Sequence, residues 1–269
     1  MLPVLFTAGS FVFYTYGVFV VLALFWFLYL AWKYIRITEH KEEEIFDRII
    51  GSLFIALIVG RVVYVAFHYD TVLQDGALGF FALHLYPGLH QLSAFIAFGL
   101  SLVIPRTPHM KHSGSEIVTY LAPALFASFA ILSFGGVFAG TDVGLITTFP
   151  VRIKYAVYDG LRHVPGLYEG ILYFIGALAA HHVILHVRRH KVKKGLVVAL
   201  LYWFVSFIHV GVAQLRDIVS YQQNAYYQLF DLYLGIVTLL TSLVFIVYYV
   251  RSHIVSMFYY LLRPFLRHG

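Results

Sequence analysis

No cysteine occurs anywhere in the 269 residues of this chain. That absence removes disulfides, thiolate metal sites and a cysteine nucleophile together, so any thiol chemistry belongs to a substrate. Charge is scarce too: 12% of residues are Asp, Glu, Lys or Arg against 61% hydrophobic, and mean hydropathy is +0.81. Such a chain is too apolar for a soluble domain and reads as a polytopic membrane protein. Its apolar runs lack the alternation of lipid-facing and lumen-facing positions, which excludes a β-barrel. No basic domain stands outside those runs, so the net charge of +6 and pI near 9.3 reflect topology and anionic headgroups rather than nucleic acid.

Smaller absences exclude further classes. The first run, Phe11 to Trp32, has neither the charged start of a signal peptide nor a small-residue cleavage site after it, so it reads as retained. The last run, Leu229 to Val250, contains no Lys, which removes the Schiff base of a retinal-type receptor. No inverted internal repeat relates the two halves, which counts against a transporter.

Runs of about twenty residues, enough to cross roughly 30 Å of hydrocarbon, fall at 11–32, 49–67, 84–104, 117–138, 167–187, 196–213 and 229–250. They predict an all-α membrane protein of seven transmembrane helices, with one integral membrane domain over 1–269. Lys and Arg crowd the segments after the first, third, fifth and seventh runs, while the opposite side holds Arg152, Lys154, Arg162 and Arg216. This bias places the N-terminus outside and the C-terminus in the cytoplasm.

Within the second run sits Arg61, between Gly60 and Tyr64. An arginine at a helix centre in lipid costs roughly 2.5 to 3.5 kcal/mol, so it is expected to face the bundle interior near Arg216 or an acid of an outer loop; snorkelling to an interface is the alternative. His84, Pro87, Gly88 and His90 break the start of the third run, a pattern tolerated where freed backbone lines a cavity. Residues 133–144, SFGGVFAGTDVG, form a glycine-rich exit from the fourth run, suited to close packing or to close ligand approach. His182 and His186 share a helix face at metal-ligand spacing, but no carboxylate accompanies them and no metal site is expected. Thr38 to Asp47 offers an acidic start for the second helix with Thr38 as a cap, although a solvated cytoplasmic turn is the favoured reading, and the tail from Arg251 to His268 reads as an interfacial helix.

Taken in order, TYG at Thr15–Gly17, GRVVYV at Gly60–Val65, RHVPGLYEG at Arg162–Gly170 and QLRD at Gln214–Asp217 resemble the prolipoprotein diacylglyceryl transferases of bacterial cell membranes. The third stretch is similar to the family's Arg-His-Pro-Ser-Gln-Leu-Tyr-Glu through Arg162, His163, Leu167, Tyr168 and Glu169. The resemblance implies a multi-pass protein of the bacterial inner membrane that moves diacylglyceryl from phosphatidylglycerol to the cysteine thiol of a lipoprotein signal peptide, without a cofactor. It implies Arg61 and Arg216 as phosphate-side cations, Tyr16 as a headgroup ligand, and His163, Tyr168 and Glu169 as a supporting network. Departures accompany it. The family's His-Gly-Gly falls on Leu92, Ser93 and Ala94, leaving His90 nearby, and its Gly-Arg-Leu-Gly-Asn-Phe-Ile-Asn-Gly-Glu falls on Leu132–Thr141, so that Ser133 replaces an arginine. On the sixth helix the family's Arg and Glu become His209 and Ala213.

His90 and His209 are accordingly the candidate catalytic groups. The alternatives are a non-catalytic phospholipid-binding protein of the same fold and a small transporter. With Arg61, Arg152, Arg162 and Arg216 outweighing the nearby acids, an anionic lipid such as phosphatidylglycerol is the expected partner.

Overall fold

The computed structural model describes residues 3–9, 11–38, 41–74, 76–82, 88–104, 114–155, 158–189, 192–217 and 225–266, with side chains of the last stretch described from Tyr226 to Arg251. His84 and Pro87 lie outside the described residues. The chain enters through an antiparallel hairpin, β1 (Val4–Ala8) and β2 (Phe11–Tyr14), with Phe6 opposite Phe13 and their rings stacked at 4.4 Å. Residues Phe11–Tyr14, expected as the start of the first helix, are therefore strand. Their aromatic and β-branched side chains favour the extended state once a partner strand is available.

Eight helices follow: α1 (Thr15–Ile35), α2 (Glu42–Phe67), α3 (Tyr69–Val72), α4 (Gln91–Val103), α5 (Gly114–Ala139), α6 (Pro165–Arg188), α7 (Lys194–Ala213) and α8 (Ala225–Leu266). Among the described residues six helices are long and apolar enough to cross a membrane: α1, α2, α5, α6, α7 and the Tyr226–Arg251 part of α8. Helix α5 is the hub. Its apolar window is 67% buried, whereas no other span exceeds 39%, and α1 and α6 flank it with the most extensive contacts. Phe27, Leu121, Leu125 and Ile208 belong to the continuous core around it.

Three boundaries differ from expectation. Helix α2 starts at Glu42, so most of the acidic stretch is helical, with Glu42, Glu43 and Glu44 in the first turn where the helix dipole favours them. Thr38 does not cap it; its hydroxyl donates to Ile35 O at 2.6 Å, closing the end of α1 instead. Helix α8 runs unbroken for 42 residues, so the segment expected as a separate interfacial tail continues the last span to Leu266.

The third apolar run forms only the 13-residue α4, about 20 Å at 1.5 Å per residue and too short to cross the hydrocarbon core. A helix this short leaves main-chain carbonyls around both its ends in need of donors. Helix α2 supplies donors at both. At one end Arg61 donates from Nε to Phe80 O at 2.8 Å, from Nη1 to Gly88 O at 3.0 Å and from Nη2 to Gly79 O at 3.1 Å. At the other end Arg48 donates from Nη2 to the carbonyls of Leu102 and Ile104. Between them the helices meet at Gly60, whose carbonyl accepts from His90 N at 3.0 Å. A Cβ at Gly60 would lie 3.0 Å from Ala94 Cβ and 3.2 Å from His90 O, so the approach depends on glycine.

Candidate functional site

At the end of the bundle where α5 and α7 finish and α6 begins, two connecting segments, one between α5 and α6 and one after α7, are laced together by main-chain bonds. Gly144 bridges Arg216, and Arg162 bridges both Ile146 and Ile153; Leu145 N donates to Leu215 O at 2.9 Å and Asp217 N to Val143 O at 2.9 Å. Gly140, with φ 71, ends α5 in the left-handed conformation and turns the chain into this lacework. The consequence is that residues distant in sequence, Asp142, Arg162, Arg216 and Asp217, are held by backbone rather than by long flexible side chains.

Arg216 is the centre of the resulting cluster. Its Nε donates to Asp142 Oδ1 at 2.9 Å, and its Nη2 donates to Glu169 Oε1 at 2.8 Å and to Asp142 Oδ2 at 3.5 Å. All three side chains are largely buried, and Ser133 Oγ reaches Glu169 Oε2 at 3.5 Å. The Tyr16 hydroxyl accepts from Gln91 Nε2 at 3.3 Å and lies within electrostatic range of Asp142, Glu169 and Arg216. A parallel pair sits beside it: Arg162 is joined to Asp217, and donates to Gly144 O at 3.2 Å and Asp159 O at 2.9 Å. Tyr155 packs under this lacework, its hydroxyl donating to Asp142 O at 2.9 Å; burial, helped by the charge of Asp142, pushes the phenol up to about 12.

Both candidate imidazoles converge on a carboxylate that the sequence reading did not single out. His209 Nε2 lies 2.8 Å from Asp231 Oδ2, and His90 Nε2 lies 3.1 Å from Asp231 Oδ1, an ion-pair distance off the line of a hydrogen bond. His90 also caps α4, its Nδ1 accepting from Ser93 N at 3.1 Å. That bond puts the proton of the neutral ring on Nε2, facing Asp231. His209 is in turn within electrostatic range of Glu169, so the imidazole group and the Arg216 cluster belong to one polar region.

Of the residues expected at the site, Tyr16, Glu169, Arg216 and His209 are brought together, with His90 behind Asp231. Arg61 is turned to the main-chain carbonyls of Gly79, Phe80 and Gly88. His163 and Tyr168 pair with each other at 3.1 Å, and Tyr168 donates to Val151 O at 2.9 Å, while Glu169 faces the opposite way to Arg216. The expected excess of cations also changes character: Arg162 and Arg216 both meet carboxylates, and Arg152 is exposed.

A family model described as prolipoprotein diacylglyceryl transferase matches residues 3–251, which takes in every group of this cluster. The chain belongs to the prolipoprotein diacylglyceryl transferase family. Two relatives from strains of Clostridium kluyveri, each named phosphatidylglycerol–prolipoprotein diacylglyceryl transferase, are 26% identical over 204 residues, covering 73% of this chain and 77% of theirs. It is thus a multi-pass membrane protein of a transferase family of lipoprotein biosynthesis. Against that background Asp231 and Asp142 are the residues that sequence reasoning missed. Asp231 carried the same signal as Arg61, a charge inside an apolar run, whereas Asp142 was lost inside the glycine-rich stretch.

Proposed function

We propose that the chain transfers the diacylglyceryl group of phosphatidylglycerol to the thiol of a lipoprotein signal-peptide cysteine, releasing glycerol phosphate. In this reading one integral membrane domain of seven membrane-embedded helices, α4 being the short one, sits in a bacterial cell membrane with its N-terminus outside and its C-terminus in the cytoplasm. The observation that carries the reading is the juxtaposition of Arg216, held by Asp142 and Glu169, with two imidazoles on Asp231. The reaction needs a base to generate a thiolate and a cation to receive the departing phosphate. A planar guanidinium suits the second task, and a phosphate oxygen can take the place of one carboxylate oxygen on Arg216. Tyr16, beside the same cluster, would hydrogen-bond the headgroup.

One observation favours the alternative of a lipid-binding protein without turnover. Arg216 already meets two carboxylates, so an incoming phosphate competes with them. Purified protein, phosphatidylglycerol and a signal-peptide mimic with a single cysteine decide between the two. Mass addition of one diacylglyceryl group to the peptide is expected; saturable phosphatidylglycerol binding without that addition would establish the binding protein instead.

A further inference from the structure

Resting on the transfer reading, we infer that His209 is the base that deprotonates the acceptor thiol, that Asp231 is its positioning residue, and that His90 anchors Asp231 without touching substrate. The two imidazoles are not equivalent. The side chain of His90 is 1% exposed, its Nδ1 is taken by Ser93 N, its Nε2 faces Asp231, and its ring is enclosed by Tyr227 at 5.2 Å and Phe230 at 5.4 Å. No ring nitrogen is left to accept a substrate proton.

His209 has the complementary arrangement. Its Nε2 is on Asp231 Oδ2, and among the described residues its Nδ1 has no partner; the side chains of His209 and Asp231 retain 13% and 23% exposure. A carboxylate on Nε2–H fixes the tautomer with the lone pair on Nδ1 and stabilises the imidazolium once a proton arrives. The second oxygen of Asp231 faces His90, which holds the carboxylate in place from the buried side. The cation belongs to the same polar region, because Glu169 is within electrostatic range of His209 and accepts from Arg216.

The step balances with groups on hand. Nδ1 of His209 takes the thiol proton, and the thiolate attacks the glyceryl carbon that bears the phosphate ester. A C–S bond forms as the C–O bond breaks, and the bonding pair leaves on the phosphate oxygen beside Arg216. The proton on His209 then passes to the released phosphate or to water. In the position of a family arginine, His209 thus supplies a base where the resemblance has a cation.

The test uses the full chain with phosphatidylglycerol and two peptide mimics, one with cysteine and one with selenocysteine, whose selenol is already ionised at neutral pH. With the cysteine peptide, His209→Gln is expected to lower kcat on the order of 100-fold with little change in KM. Asp231→Asn should lower kcat at least about tenfold, and His90→Gln should have less effect than His209→Gln. With the selenocysteine peptide the His209→Gln deficit should shrink to within about fivefold, because no base is then required. An equal deficit with both peptides, or a His90→Gln loss exceeding that of His209→Gln, overturns the assignment. A wild type that modifies neither peptide overturns the transfer reading and this inference with it, a result distinct from an active wild type whose His209→Gln variant is equally active.

Discussion

Four arginines buried wholly or largely in this bundle fall into two pairs by what they touch. Arg48 and Arg61, on one helix, give their guanidinium groups to main-chain carbonyls at the two ends of α4. Arg162 and Arg216, on connecting segments, meet side-chain carboxylates, Arg162 together with the carbonyls of Gly144 and Asp159. A carbonyl of a packed segment is fixed by the fold and cannot withdraw, so the first pair belongs to the frame. A carboxylate swings on its own rotamers, and another anion of similar geometry can replace it. Arg216, with two carboxylates, is therefore the one suited to a phosphate, although both pairs meet the same requirement that a cation in a low-dielectric interior find a partner.

The largest expected effect breaks the frame. Arg61→Ala removes a donor from three carbonyls, that of Gly79 buried and those of Phe80 and Gly88 partly so, and with charged hydrogen bonds contributing about 1.5 to 3 kcal/mol each, a loss on the order of 3 kcal/mol is expected. Arg48→Ala should act in the same direction at the other end of α4. Thermal unfolding of the purified protein in detergent checks both; melting temperatures within 2 °C of wild type would show that water or lipid satisfies those carbonyls. A smaller change belongs to the second pair: Asp142→Asn leaves Arg216 with one carboxylate and should lower stability by roughly 1.5 to 3 kcal/mol, while raising affinity for an anionic lipid by removing a competitor. Unchanged lipid affinity would separate Asp142 from the phosphate site.

The seam of α2 with α4, within the first pair, gives a third test. Gly60→Ala forces contacts of 3.0 Å with Ala94 Cβ and 3.2 Å with His90 O, and crowding of this kind typically removes about 1 to 3 kcal/mol. A fully stable variant would mean that α4 slides freely on α2.

The least effect at neutral pH concerns Tyr155. Its phenol titrates at about 12 in the folded chain against an ordinary value of 10. Its neutral form is therefore favoured by folding: stability is fully present below pH 10 and lost as pH rises toward 12, by roughly 2 to 3 kcal/mol. Alkaline unfolding of wild type and Tyr155→Phe should diverge only above pH 10, with the wild type falling faster; parallel curves would place the phenol in contact with water.

Much of this architecture was legible in the sequence, because continuous apolar runs of span length have few other uses. The 84–104 run was the exception. His84, Pro87, Gly88 and His90 marked a break at its start, but not that the helix would begin only at Gln91 and be too short to cross. Arg61 shows a second kind of limit: the energetic cost of its charge was readable, but main-chain carbonyls as partners leave no trace in residue type. Asp231 was readable by the same cost, yet the pairing of its two oxygens with His90 and His209 depends on three elements meeting in space. At Glu169 the neighbouring residues Tyr168 and His163 suggested one network, and helical periodicity divided them, since adjacent positions of α6 face different partners.

The division of the arginines is tested most directly by Arg61→Lys and Arg216→Lys, each measured for thermal unfolding and for diacylglyceryl transfer per folded molecule. Lysine keeps the charge but loses the planar fork. For Arg61→Lys the account predicts a clear fall in melting temperature with transfer within a few-fold of wild type. For Arg216→Lys it predicts transfer reduced by about 100-fold with a much smaller change in melting temperature. The opposite pattern, transfer lost at Arg61 and kept at Arg216, would contradict it.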